Sequence, residues 1–375
     1  MSAVSLTVKG NGFEDSFLNN ISGFNYSTSI MMQDNIDLDT LDIELLPTSF
    51  GRETLFTYFR SLSNIVSPSP QNIEATLTVG DYETKFYNIL DASPASIEFN
   101  KITGASFRFT TFPRKSAKAY DSMQAIYQQN SLFDVFDSVM KDNQIPLSNV
   151  DKIGNDIQFS SDSPFYNFVK ADGVSSLQFI RQLCMHYGYA IVSRSNKITL
   201  IDLNEFNTKE PDITIDVSDV NKIPDGLVSF KPKANLSPIL EAISVIKQDP
   251  NIDKYQINTL KNNGYGNVVF NGKGGYITSN EFMPLTTLEA RARSIIRESQ
   301  QKLRTISVSF AKIIPIFAGS IAKVNCYDSF FNKKYLVFSS NHFLDRKNAR
   351  TDLVLIENFN TNSFEVTVDF SNMNQ

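Results

Sequence analysis

The sequence predicts a mixed, mainly β fold with α+β insertions, and three observations carry that expectation. Short runs alternating apolar and polar residues recur through residues 1–118 and again beyond residue 204, as in strands with one buried face. The 30 Phe and 14 Tyr, with no Trp, suit pleated, half-buried surfaces. Between those regions the apolar period lengthens to three and four residues over two capped stretches, which is helical. At 375 residues the chain exceeds what one core usually serves, so two or three domains are expected.

Within residues 1–118 the runs VSLTV, DIELL, NIEATLTV, YETKFYNIL, SIEFN and SFRFTTF read as strands. Ile73, Ala75, Leu77 and Val79 alternate with polar neighbours, as do Phe107, Phe109 and Thr111. Gly80-Asp81 lies between two such runs and predicts a hairpin, whereas SPSPQ at 67–71 is a loop, because proline cannot occupy a central strand. A small antiparallel barrel or sandwich is the simplest packing of these strands.

From about residue 119 the pattern turns helical. Leu132, Val135, Phe136, Val139 and Met140 form one stripe, and Ser131 with Asp134 resembles an N-terminal cap with its reciprocal acid. A second stripe, Leu177, Ile180, Leu183, Cys184 and Tyr187, follows the capping-box pair Ser175 and Gln178 and ends at Gly188. YAIVSRSNKITLID then reads as strand, tight turn, strand. Cys184 and His186 are separated by one residue and invite a thiolate or metal reading. Side chains two apart on a helix point about 200° apart, so the pair cannot share a ligand, and Cys184 reads as a core residue. His342 stands far away in a strand-like run.

Beyond residue 204, DITIDV, GLVSF and ILEAISVIK return to strands. Residues 248–284 are rich in Asn, Gly and Lys without a period, which predicts a loop-rich insertion or extended arm. Residues 286–304 predict a helix with Leu288, Ala292, Ile295, Ile296 and Leu303 on one face, and Lys302 and Arg304 suiting its C-terminal dipole. Arg291, Arg293, Arg297, Lys302 and Arg304, diluted by Glu289 and Glu298, read as a solvated face rather than a nucleic-acid or membrane surface. ISVSFAKII, SIAKV, KKYLVFSS and TDLVLIEN are strands. The tail alternates Phe364, Val366, Val368 and Phe370 against Glu365, Thr367 and Asp369, a strand pattern placed after a finished domain.

Chemical motifs are few. A net charge of −5 argues against a domain built to bind phosphate backbones. GYGNVVFNGKGG fails as a phosphate loop, because five residues separate Gly266 from Gly272 and Gly274 replaces the magnesium-binding hydroxyl. DNIDLDTLDIE lacks the glycine and ligand spacing of a calcium loop and reads as a solvated acidic face. Two cysteines, Cys184 and Cys326, make no disulfide framework, so a reducing compartment is expected. No cofactor, metal or catalytic residue is assigned, and a paired-carboxylate hydrolase has no positive support. The N-terminus lacks a secretory pattern, and no run approaches the ~18 apolar residues of a membrane span.

The order of SLFDVFDSVMKDNQIPL and then FYNFVKADGVSSLQFIRQLCMHYGYAIVSRSNKITLID resembles phage tail hub proteins, in which a capped helix precedes a strand hairpin. FAGSIAKVNCYDSFFNKKYLVFSSNHFLDRKNARTDLVLIEN is similar to the closing barrel of that family, with a Gly319 turn, a Tyr-Val strand and His342 near its end. The KADGVSS segment departs from the family's usual acidic residue before the central capped helix.

The resemblance implies two antiparallel tube-like β-barrel domains, the second discontinuous. On that expectation 1–118 is the first barrel domain, and 119–203 is an α+β domain. Segments 204–247 and 304–358 form the second barrel, 248–303 is an insertion with loop and helix, and 359–375 is a tail. The implied function is the structural baseplate hub of a contractile-tailed phage rather than an enzyme: a homotrimeric pseudo-sixfold ring that adapts the sixfold tail tube to the threefold central spike. Its implied partners are a tail spike protein, a tail tube protein or tube initiator, and baseplate wedge proteins. DNA passes the lumen without sequence recognition, and the virion tail assembles in bacterial cytoplasm. The alternatives are a flexible-tail or secretion-system hub, and, from another class, a tail-borne cell-wall hydrolase. Phe364, Val366, Val368 and Phe370 are expected to form an interface strand that adds to another chain's sheet.

Overall fold

The computed structural model describes residues 4–9, 21–30, 39–45, 74–87, 99–100, 104–110, 124–127, 131–142, 147–148, 168–170, 173–194, 197–203, 205–235, 242–249, 254–261, 274–279, 297, 301, 303–357 and 365–371. The N-terminal strands are β1 (Val4–Lys9), β2 (Ile21–Ser29), β3 (Thr40–Leu45), β4 (Glu74–Val79), β5 (Tyr82–Tyr87), β6 (Phe99–Asn100) and β7 (Gly104–Thr110). The middle holds β8 (Ala125–Tyr127), helix α1 (Leu132–Asp142), β9 (Leu147–Ser148), β10 (Phe168–Lys170), helix α2 (Ser176–Tyr187), β11 (Tyr189–Arg194) and β12 (Lys197–Asp202). Then follow β13 (Ile213–Val217), β14 (Leu227–Ala234), β15 (Ala242–Asp249), β16 (Lys254–Lys261) and β17 (Gly274–Ser279). The last are β18 (Arg304–Phe310), β19 (Ile321–Cys326), β20 (Lys334–Asp345), β21 (Ala349–Glu357) and β22 (Glu365–Ser371).

Among the described residues thirteen strands join one largely antiparallel sheet, along the path β1-β4-β5-β7-β3-β2-β20-β21-β18-β14, with β6, β19 and β13 as branches. Strands from opposite ends of the chain therefore meet at β2–β20. Among the described residues no pairing closes this path, so the mainly antiparallel β class holds while the expected barrel closure is absent from the described pairings. The path depends on β20. Lys334–Leu336 pair with β19 and Ser339–Asp345 with β2, while β21 follows the other edge with a register shift between Val337 and Ser339. Such a bulge bends a strand, which lets one strand serve two neighbours.

Local patterning explains the elements. In β4 the buried positions are Ala75, Leu77 and Val79, and Gly80, at φ 61°, turns the chain into β5 as its sequence predicts. Phe24, Tyr26, Leu41, Ile43, Leu77, Phe86 and Phe109 make the core under the N-terminal strands. Ile215, Ile306, Val308, Phe310, Val324, Val337 and Leu355 make that of the C-terminal strands. The helices start where the caps predict. Ser131 Oγ accepts from Asp134 N at 3.1 Å and donates to Asp134 Oδ2 at 2.7 Å. Ser175 and Gln178 complete a reciprocal capping box, and Gly188, at φ 88°, closes α2. Both helices pack on β11 and β12 through Val135, Phe136, Leu177, Ile180, Cys184, Ile191 and Leu200.

Three expectations are corrected. Residues 248–284 carry β16 and β17, which with β15 and β22 form a separate sheet in the order β17-β15-β16-β22. The alternation of Tyr255, Ile257 and Thr259 is masked by Asn and Lys neighbours, and cross-strand pairing supplies the order. Arg297 and Arg304, read as part of a solvated face, are buried, and Arg304 opens β18 rather than ending a helix. Both are buried because they have internal partners: Arg297 Nη1 donates to the Gly188 carbonyl at 3.3 Å and Arg304 to Glu357. Asp39, read as part of a solvated acidic face, is buried and accepts a hydrogen bond from Tyr26 Oη at 3.3 Å. Ile73, Thr111, Arg291, Arg293, Lys302, Phe364 and the SPSPQ loop lie outside the described residues.

Candidate assembly interface

The β2–β20 seam is built from small and polar groups. Gly23 stands opposite Asp345, where a Cβ would lie 2.6 Å from the Leu344 carbonyl oxygen, so only glycine lets the strands approach. Ser27 Oγ donates to Asn341 Oδ1 at 3.0 Å, and the Thr28 and Ser340 hydroxyls lie 2.9 Å apart. His342 is fully buried, with Nε2 3.1 Å from Ser340 Oγ and Nδ1 3.3 Å from Thr351 Oγ1. Thr351 Oγ1 already donates to the Lys312 carbonyl at 2.9 Å, so His342 Nδ1 donates to Thr351 Oγ1. With Tyr26 stacked on its ring at 5.7 Å, His342 braces the seam.

A second junction seats the α+β unit on the sheet. Ala190, Val192, Leu203 and Phe206 pack with Ile30, Ala318, Leu336 and Ile356. Gly319, at φ 87°, faces Ile201, and an added Cβ would overlap Ile201 Cδ1. A third junction lies where the chain leaves for the four-stranded sheet. Arg304 Nη1 sits 2.6 and 2.5 Å from the Glu357 carboxylate oxygens, Lys333 Nζ is 2.9 Å from Oε1, and the Phe330 ring lies 3.7 Å from Arg304 Cζ. This clamp ties the start of β18 to the end of β21. Sequence reading missed it, because nothing local links residues 304, 333 and 357.

An unpaired strand edge offers its backbone groups to another chain. The tail is a strand as its alternation predicts, and β22 pairs with β16 of its own chain, setting Val366 opposite Leu260, Val368 opposite Asn258 and Phe370 opposite Gln256. Three of the four expected interface positions therefore lie on the outer strand of the four-stranded sheet. Among the described residues β22 has no strand on its other side. β14, at the end of the large sheet, carries Pro232 between Lys231 and Lys233, devices that keep an edge from pairing.

The cysteines are free and buried, and burial pushes the Cys184 thiol well above its ordinary range. Among the described residues no group of three His, Cys, Asp or Glu side chains is arranged to hold a metal, and no helix is long and apolar enough to cross a membrane.

No protein-family model matches the sequence, and no curated protein matches it. Solved structures share its fold. A tail protein from Neisseria meningitidis MC58 is 10% identical, covers 95% of this chain and 97% of its own, and superposes with a TM-score of 0.62. The 43 kDa tail protein of prophage MuSo2 from Shewanella oneidensis is 10% identical over 97% of this chain and 100% of its own, at 0.59. The E. coli c3393 protein, a component of the type VI secretion system with structural similarity to T4 bacteriophage tail proteins gp27 and gp5, is 10% identical over 95% and 78%, at 0.50. The chain thus carries a fold shared by phage tail proteins and a type VI secretion component, in line with the resemblance read from its sequence.

Proposed function

We propose that the chain is a structural baseplate hub of a phage tail. The observation that carries this reading is the near-complete overlap with tail proteins, over 95 to 97% of this chain and nearly all of theirs. On this reading each chain offers two β modules. One is built on β1–β7, the other on β13, β14 and β18–β21, and the β2–β20 seam fixes the angle between them. Three chains then present six tube-like surfaces, and the ring adapts a sixfold tail tube to a threefold spike. Its partners are further copies of itself, the spike, the tube or its initiator, and the wedge proteins, and its place is the virion tail. The work done is binding and not bond chemistry. Strand β22, through Val366, Val368 and Phe370, is the edge proposed to contact a neighbouring chain.

The fold shared with a secretion-system component favours one second reading, a hub of such a system. Light scattering tests both, since each requires a trimer near three times 42.2 kDa. A monomer at high concentration, with tube and spike proteins present, contradicts them. Clearing of peptidoglycan in a zymogram supports a cell-wall hydrolase instead.

A further inference from the structure

A groove lies at the outer end of the large sheet, on the face of β14, β18 and the hairpin linking β20 to β21 that carries Lys231, Ser309, Phe343 and Arg350. Its volume is about 460 Å³. That is the size range of pockets built to hold ligands. Its apolar lining comes from Val228, Phe310, Ala311, Phe343 and Ala349. At the β14 side the register passes from Leu227–Phe310 to Ser229–Ser309, leaving Val228 as a bulge. A bulge re-aims its extra side chain, and Val228 is 69% exposed and lines the groove.

Lys231 and Arg350 line the groove, with Lys233 close by on β14. Arg350 is paired with Asp352 at 2.8 Å, and the Asp345 carboxylate accepts from the backbone N–H groups of Lys347 and Asn348. Lys231 and Lys233 have no carboxylate at ion-pair distance among the described residues. A positive, apolar-floored groove on a chain of net charge −5 complements a negative partner. Strand addition to β14 is blocked by Pro232, so the partner lies in the groove rather than on the edge. Bases would need exposed rings for stacking, and the groove offers aliphatic side chains and the half-buried Phe343.

We propose that this groove docks an extended, acidic segment of a partner polypeptide, with an apolar side chain against Val228 and Phe343 and carboxylates along Lys231 and Lys233. This holds whether or not the chain forms a ring. The probe is a fluorescein-labelled peptide of about ten residues, alternating Asp with Leu, followed by anisotropy against the full chain. The wild type is expected to bind it, and Lys231→Glu to weaken binding about tenfold. Val228→Ser is expected to weaken it about threefold or more, and the Lys231→Glu variant to gain affinity for the Lys-Leu counterpart. Both substituted residues are exposed, so neither change disturbs the fold. Absence of binding by the wild type overturns the proposal. So does equal binding by both variants, or tighter binding of a DNA oligonucleotide of the same charge.

Discussion

Removing the charge of Glu357 is expected to destabilise the chain more than any surface change of similar size. Glu357→Gln keeps the shape and strips Arg304 of its carboxylate in a site where the two side chains are 5% and 3% exposed. A surface ion pair contributes about 0–1 kcal/mol, whereas breaking a buried one costs about 3–5 kcal/mol. The Gln carbonyl still accepts one Arg304 N–H, which recovers about 1 kcal/mol. The Phe330 ring still faces the guanidinium, and Lys333, 38% exposed, loses no more than about 1 kcal/mol. The net expectation is a loss of about 2–5 kcal/mol. Urea unfolding followed by far-UV circular dichroism measures it. The double variant Arg304→Met with Glu357→Leu removes both charges and is expected to regain most of the loss, since apolar replacements of buried pairs are often neutral. A single variant within about 0.5 kcal/mol of the wild type, or a double variant as unstable as the single, refutes the reasoning.

Gly319→Ala combines a left-handed backbone with overlap on Ile201, so a loss of about 1–3 kcal/mol is expected, with faster proteolysis at the junction of the α+β unit. Gly23→Ala sets a Cβ against the Leu344 carbonyl and is expected to raise amide exchange in β2 and the second half of β20. Alkaline pH is expected to destabilise the chain. Burial raises Cys184 well above its ordinary 9.0, and burial, then Glu357, raises Tyr335 above its ordinary 10.0, so above about pH 9 the folded chain retains protons that the unfolded chain releases. Stability is then fully present below that pH and falls above it, and Cys184→Ala should flatten the fall in a pH series of urea midpoints. The same burial predicts that iodoacetamide labels Cys184 only after denaturant is added.

What could be read from the sequence followed how far apart the cooperating residues lie. The Ser131 cap, the Ser175 capping box, the Gly188 terminus and the Gly80 hairpin each involve residues within four positions, and each is present. The β2–β20 seam joins residues more than 300 apart, and no local pattern announces which strand Tyr26 will face. Arg297 and Arg304 look like solvated cations until Gly188 and Glu357 supply buried partners from elsewhere in the chain. The tail shows the same division: its strand was legible, its pairing with β16 was not.

The angular placement of the two β modules around a common axis tests the central claim most directly. Averaged electron-microscope images of the purified full chain should show a threefold ring with an open centre and six similar β densities about sixty degrees apart. Single chains, or rings whose paired densities fall at unequal spacing, would contradict it.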